Sequence, residues 1–233
     1  MPLTFPIHLW NPSGIRCSLV GRGVQSPPSL SGVGQVLRTD GGGFWAVEYS
    51  GITLNSPDKL RAWRAWEAQL DGGATRVIAP VPDLSLAPRP VIGGGLASPS
   101  ALVSTSDDEY FPEATAFAAP LIIASAEAAD LRDTEITLTI VQGSRVKGGQ
   151  FFAIDHPDAG RRMYQTSRVL SRDGQTATVE IRPPLRQAIS DDTSLDFDWP
   201  GFEAIKTPDA EITADIRIGK YTQDISIVFR EAI

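Results

Sequence analysis

Residues 134–186 read TEITLTI VQGSRVKGGQ FFAIDHPDAG RRMYQTSRVL SRDGQTATVE IRPPLR, and their reading decides the fold. Ile136, Leu138 and Ile140 alternate with Thr137 and Thr139, the period of a half-buried strand. Gly148-Gly149 turns the chain into a second run, Gln150 to Asp155, in which Phe151 and Phe152 bring bulk to both faces. His156 to Gly160 is a loop with a solvated histidine. Arg161 to Ser171 then pairs with Gln175 to Arg182 across Asp173-Gly174. Asp-Gly between two strand-like runs signals a hairpin, with positive φ at both central residues of a type I′ turn. Ala177, Val179 and Ile181 face one way, and Pro183-Pro184 stops the strand because proline cannot donate to a ladder. The segment is an antiparallel meander, and it carries no evident catalytic chemistry.

Upstream, the sequence predicts short strands near Ile15 to Val20 and Gly34 to Arg38, and a half-buried strand from Phe44 to Tyr49. One helix is predicted over residues 57–70. Ser56 suits the N-cap, Pro57 the first helical position and Asp58 the positive end of the dipole, and Gly72-Gly73 follows as a left-handed stop. Leu60, Trp63, Trp66 and Leu70 share one face, which with Trp45 forms the expected helix–sheet contact. Thr75 to Val81 reads as a strand that Pro80 and Pro82 place at an edge or end early. Residues 83–130 are rich in Pro and Gly and read as an insertion or arm. Downstream, Ser194 to Trp199, Ile212 to Ile218 and Ile225 to Phe229 are further strand candidates. The expected division is a β domain whose first half is 1–82 and second half 131–233, interrupted by 83–130. The expected class is mainly β: an antiparallel sandwich or partly open barrel with one packed α-helix and a long irregular insertion.

Composition narrows the function. The chain has 233 residues, 42% hydrophobic and 21% charged, close to globular averages, with 21 Gly and 18 Pro that call for many turns. A net charge of −7 argues against wrapping nucleic acid, which needs clustered Lys and Arg, but suits either plain solubility or a passage that DNA crosses without sticking. The single Cys17 excludes an intrachain disulfide or a thiolate metal site, and the two His, His8 and His156, offer little to a histidine site. Folding in a reducing cytoplasm is expected. The N-terminus has neither the basic region nor the apolar run of a signal peptide, and no stretch reaches the length of a membrane span.

No catalytic template fits. Gly-x-Ser-x-Gly is absent, and Gly93-Gly94-Gly95 runs into Pro99 rather than a helix. Asp107-Asp108 and Asp191-Asp192 are adjacent loop acids, and adjacency does not set two carboxyls across a cleft. The sequence points to no catalytic residue, cofactor or metal.

Gly143 to Ile154 with its Gly-Gly-Gln-Phe-Phe core, then Arg161-Arg162-Met163-Tyr164-Gln165, then Glu180-Ile181-Arg182-Pro183-Pro184-Leu185-Arg186, together resemble tail proteins of long-tailed phages. The Trp-containing strand, the Arg- and Trp-rich helix ending in Leu70-Asp71-Gly72-Gly73 and the strand running into prolines are similar to the tail-tube type of domain. Residues 83–130 lie outside the resemblance. It implies a tail-tube-like β fold and a distal tail protein, of a siphophage or a phage-like gene-transfer particle, located in the virion at the tail tip. Such a subunit forms a ring, typically a homohexamer, that joins the tail tube protein to the hub protein and leaves a channel for DNA. On that reading Tyr110, Phe111, Arg182 and Arg186 are candidate inter-subunit contacts, although a solvated role for the two arginines fits equally. Rival readings are a tail-tube subunit, a carbohydrate- or receptor-binding module using exposed aromatics, and a cell-wall hydrolase.

Overall fold

The computed structural model describes residues 3–21, 23–25, 27, 36–38, 41–92, 94–97, 103–104, 117–118, 120–207 and 225–232. The chain runs β1 (Leu3–Thr4), α1 (Ile7–Trp10), β2 (Gly14–Val20), β3 (Gly23–Gln25), β4 (Val36–Arg38), β5 (Phe44–Ile52), α2 (Pro57–Gln69) and a 3-10 turn at Asp71–Gly73. It continues through β6 (Val77–Pro80), β7 (Val91–Ile92), β8 (Gly95–Leu96), β9 (Val103–Ser104), β10 (Phe117–Ala118) and β11 (Ile123–Ala126). Last come β12 (Glu135–Gln142), β13 (Phe151–His156), β14 (Gly160–Asp173), β15 (Thr176–Arg182), β16 (Thr193–Leu195), β17 (Gly201–Lys206) and β18 (Ile225–Glu231). The fold is mainly β with one substantial helix, and an irregular insertion carries the short pairs β7–β8 and β9–β10.

The backbone gathers into two compact units, 1–81 with 201–233, and 82–200. This differs from the division drawn from sequence, in which 131–233 completes the domain begun by 1–82. Among the described strands of 131–233, β17 and β18 return to the first unit. The meander builds a unit of its own, and the end of the expected insertion, β11, is one of its strands.

In the first unit the strand order is β1-β6-β17-β18-β5-β2, antiparallel except for the parallel β1–β6 pair. Trp45, Val47 and Tyr49 of β5 and Ile225, Ile227 and Phe229 of β18 alternate inward and are buried, as a one-sided sheet requires. β6 is second from the edge rather than at it. Its one proline, Pro80, is its last residue, opposite Gly201, so the strand ends early at the proline, and Pro82 lies beyond it. β17 has no counterpart among the strands expected from sequence, and the expected strand at 212–218 lies outside the described residues.

α2 starts as its sequence dictates: the Ser56 hydroxyl accepts the Lys59 N–H at 3.2 Å, Pro57 opens the first turn and Asp58 sits in it. Past Leu70 the chain turns through Gly72, at φ 65°. Trp63, Trp66 and Leu70 are buried, and Leu60 is only half-buried at the rim. Phe5 stacks on Tyr49 at 4.2 Å and meets Trp66 edge-on at 5.3 Å, Trp66 meets Phe229 at 6.0 Å, and Trp10 meets Trp63 at 5.1 Å. The helix is therefore fastened by one continuous aromatic layer. The Tyr49 hydroxyl donates to the Pro80 carbonyl at 2.6 Å, and burial, with the charge Cys17 would carry beside it, holds the phenol well above its ordinary pKa.

The second unit is a six-stranded antiparallel sheet, β13-β14-β15-β12-β11-β16. It is nearly closed: Ala153 and Asp196 exchange both backbone hydrogen bonds at 2.9 Å, bringing β13 against the residue that follows β16. Ile136 faces Val179 and Leu138 faces Ala177 in register, all buried, with Phe152, Ile154, Tyr164 and Phe197 completing the interior. Outside, Thr137 meets Thr178 and Thr139 meets Thr176 through their hydroxyls at 3.2 and 2.9 Å. The interior is filled by side chains, as in other small barrels. The β14–β15 hairpin turns one residue later than expected. Asp173 pairs with Thr176, so Gly174-Gln175 form the loop, and of the two only Gly174, at φ 59°, has positive φ. That is the pattern of a turn with glycine at its first central position rather than of type I′.

Candidate functional site

The residues that carry the sequence motifs converge on the closure of the barrel. β14 has 14 residues, but β13 covers only Gly160 to Gln165. The loop before β13 covers the next part of that edge. The Gly149 N–H donates to the Thr166 carbonyl at 2.6 Å, and the Thr166 hydroxyl donates to the Lys147 and Gln150 carbonyls, each at 2.9 Å. A Cβ on Gly148 would sit 2.8 Å from the Ser167 carbonyl oxygen, so this approach needs a glycine. Gln150 is buried; its carboxamide accepts the Lys147 N–H at 2.8 Å and donates to the Leu86 carbonyl at 2.5 Å. The Gly-Gly-Gln signature is thus the cover of an edge that would otherwise present unpaired backbone.

Arg161 holds the seam itself. Its guanidinium pairs with Asp155 across the β13–β14 ladder at 2.8 Å and donates to the Trp199 carbonyl at 2.9 Å, and it also pairs with Asp196. The other oxygen of Asp196 accepts the N–H groups of Asp198 and Trp199 at 3.0 and 2.9 Å. Asp198 in turn accepts from Leu121 and Ile122 at 2.7 and 3.2 Å, fixing the entry to β11. Burial raises the pKa of Asp198, against the lowering effect of those two N–H bonds, and the charge of Asp196 adds to the rise. Arg161→Ala removes the shared cation while leaving two carboxylates at the seam. We expect a loss of about 1–3 kcal/mol in chemical denaturation, less than a fully buried pair because Asp155 is exposed. A loss smaller than about 0.5 kcal/mol, by that order-of-magnitude scale, would show that the backbone bridge closes the barrel unaided.

His156 departs from its expected solvated role. It ends β13, is 5% exposed, and its Nε2 lies 2.8 Å from the Tyr164 hydroxyl, which also accepts the Arg186 N–H at 3.0 Å. Burial and the Arg162 charge push the imidazole down to about 4, with Asp155 opposing. A histidine whose folded pKa lies below its unfolded value stabilises the fold fully above the unfolded value, near 6.5, and loses that contribution as pH falls toward 4. The expected loss across this window is on the order of 1–3 kcal/mol. His156→Gln removes that slope from the stability–pH curve, and an unchanged slope would refute the assignment.

The Pro-Pro terminator is equally internal. Pro183 and Pro184 are buried and Leu185 enters the barrel core. Arg182 is spent within the chain: it pairs with Glu180, which also takes Arg168 at 2.7 Å. Desolvation alone would raise the Glu180 pKa, and Arg182 and Arg168 bring it below the ordinary value. Arg186 contributes its backbone N–H to Tyr164. Arg182 is not a plain solvated cation, and Tyr110 and Phe111 lie outside the described residues. His8 is exposed.

Shallow grooves open on the surface formed by the described residues. One is lined by Gly14, Ile15, Arg16, Glu48 and Ser50, another by Ser125, Ala126, Glu127, Thr139, Asp191 and Asp192. Asp191 uses one oxygen to accept the Ala128 N–H at 2.8 Å. Both linings carry hydroxyl and carboxylate side chains, and the Ser50 hydroxyl donates to the Gly14 carbonyl at 3.4 Å. Among the described residues no group of three or more His, Cys, Asp or Glu is placed to hold a metal ion, and no helix is long and apolar enough to cross a membrane. No family model matches the chain, and no curated protein matches it either.

Proposed function

We propose that this chain is a structural subunit of a phage tail, or of a phage-like particle, that assembles into a ring at the distal end of the tail and catalyses no reaction. One observation carries this reading: the motif residues of the resemblance, Gly148, Gln150, Tyr164, Pro184 and Leu185, are all spent on closing and filling one barrel. An enzyme places its distinctive residues around a cleft, where they meet substrate. Here they build a wall. The barrel interior is packed with Phe152, Tyr164, Leu138 and their neighbours, so a channel for DNA runs between subunits, with tail tube and hub proteins as its axial partners. The acidic chain, at −7, suits such a lumen.

Negative-stain imaging and light scattering of purified protein test the reading. Closed rings, with six-fold symmetry expected, support it. A monomer at all concentrations, alone and mixed with tail tube and hub proteins, refutes it.

A further inference from the structure

Resting on the ring reading, we infer that the free edge of β2 receives the β1 edge of a second copy of the chain, head to tail. β1 and β2 stand at opposite ends of the six-stranded sheet of the first unit, and among the described residues each pairs on one side only.

The apolar layer under this sheet is unfinished at both ends. On its inner face, Ile15, Cys17 and Leu19 of β2 stand opposite Tyr49, Val47 and Trp45 of β5. The β5 residues are 0–2% exposed, whereas Ile15 is 37% exposed and Cys17 and Leu19 are half-buried. At the other end Leu3 stands beside Val77, which is fully buried, while Leu3 is half-buried. A further strand added at either end covers this partly exposed row.

The β2 edge also lacks the usual guards. Its seven residues, Gly14-Ile15-Arg16-Cys17-Ser18-Leu19-Val20, contain one charge, no proline and no bulge against β5. Such an edge is a template for another strand unless something covers it. Pairing β2 with β2 about a two-fold axis would stop at a dimer and leave β1 open. Pairing β2 with the next copy's β1 engages both edges, over the two residues of β1, and closes a ring.

The test places cysteines on the outer face of each edge, at two exposed positions, Ser18 and Thr4, in a Cys17→Ser background. Oxidised protein carrying both Ser18→Cys and Thr4→Cys is expected to give a ladder of covalent oligomers up to the ring number, and each single variant only monomers. In the unsubstituted protein, amide exchange within Gly14–Val20 is expected to slow about ten-fold or more on assembly at the outward-pointing amides that the two residues of β1 cover. Dimers from the Ser18→Cys variant alone would overturn the inference in favour of a two-fold contact. Rings with neither a ladder nor slowed β2 exchange would overturn it and leave the ring reading standing. A persistent monomer would overturn both.

Discussion

Trp63→Ala is expected to lower the stability of the first unit by about 3–5 kcal/mol, the range for deleting a fully buried aromatic. Trp63 is 0% exposed and sits between Trp10, edge-on at 5.1 Å, and Trp66, at 6.0 Å. Its removal opens a cavity in the layer that fastens α2 to the sheet. The indole N–H of Trp63 finds no hydrogen-bond acceptor among the described residues, and the same holds for Trp10 and Trp66. A buried donor without a partner offsets part of what the ring gains by burial. Trp63→Phe therefore keeps most of the contact, loses no hydrogen bond and is expected to cost only about 1–2 kcal/mol. Denaturant titration followed by tryptophan fluorescence measures both. Equal losses for the Ala and Phe variants would show that a phenyl ring recovers none of the contact and that the full indole is needed to hold the helix.

Where an element depends on neighbours along the chain, the sequence displays it. Ser56-Pro57-Asp58 marks the start of α2, the 136/138/140 and 177/179/181 alternations mark β12 and β15, and Pro183-Pro184 marks where β15 ends. What depends on distant partners stays hidden. β17, Gly201-Phe202-Glu203-Ala204-Ile205-Lys206, opens on Pro200-Gly201, a turn signal, and its strand character comes from pairing with β6 and β18. For the same reason the meander reads as the second half of one domain. Nothing local shows that β13 closes on residue 196 or that β18 returns to β5. The site divides in the same way. Gln150, Arg161, Tyr164 and Arg182 stand out in the motifs, but their roles require Leu86, Asp196, Arg186 and Glu180. His156, followed by Pro157, looks like a turn residue until β14 brings Tyr164 over its ring.

That long-range closure is where the second unit is most vulnerable, and Phe152→Ala attacks it. Phe152 is 0% exposed, 5.7 Å from the Tyr164 ring and 5.3 Å from Phe197. Phe197 follows Asp196, the residue bridged to Ala153, so the Phe152–Phe197 contact lies directly beneath the seam. Above it the closure rests on two backbone hydrogen bonds and the Arg161–Asp196 pair. The backbone bonds contribute about 0.5–1.5 kcal/mol each and the charged pair about 1–3 kcal/mol, whereas truncating a buried phenylalanine costs about 3–5 kcal/mol. The apolar contact thus outweighs any one of the polar bonds above it, and its loss should free the three-residue β16 first. Hydrogen exchange is expected to quicken at Thr193–Leu195 and Asp196 before it does in β12 and β15, which pair over five positions. Phe152→Leu refills most of the space and should cost less than half as much. If exchange instead rises uniformly around the barrel, the seam is no weaker than the wall, and the polar clamp at Arg161 rather than the ring beneath it sets the strength of closure.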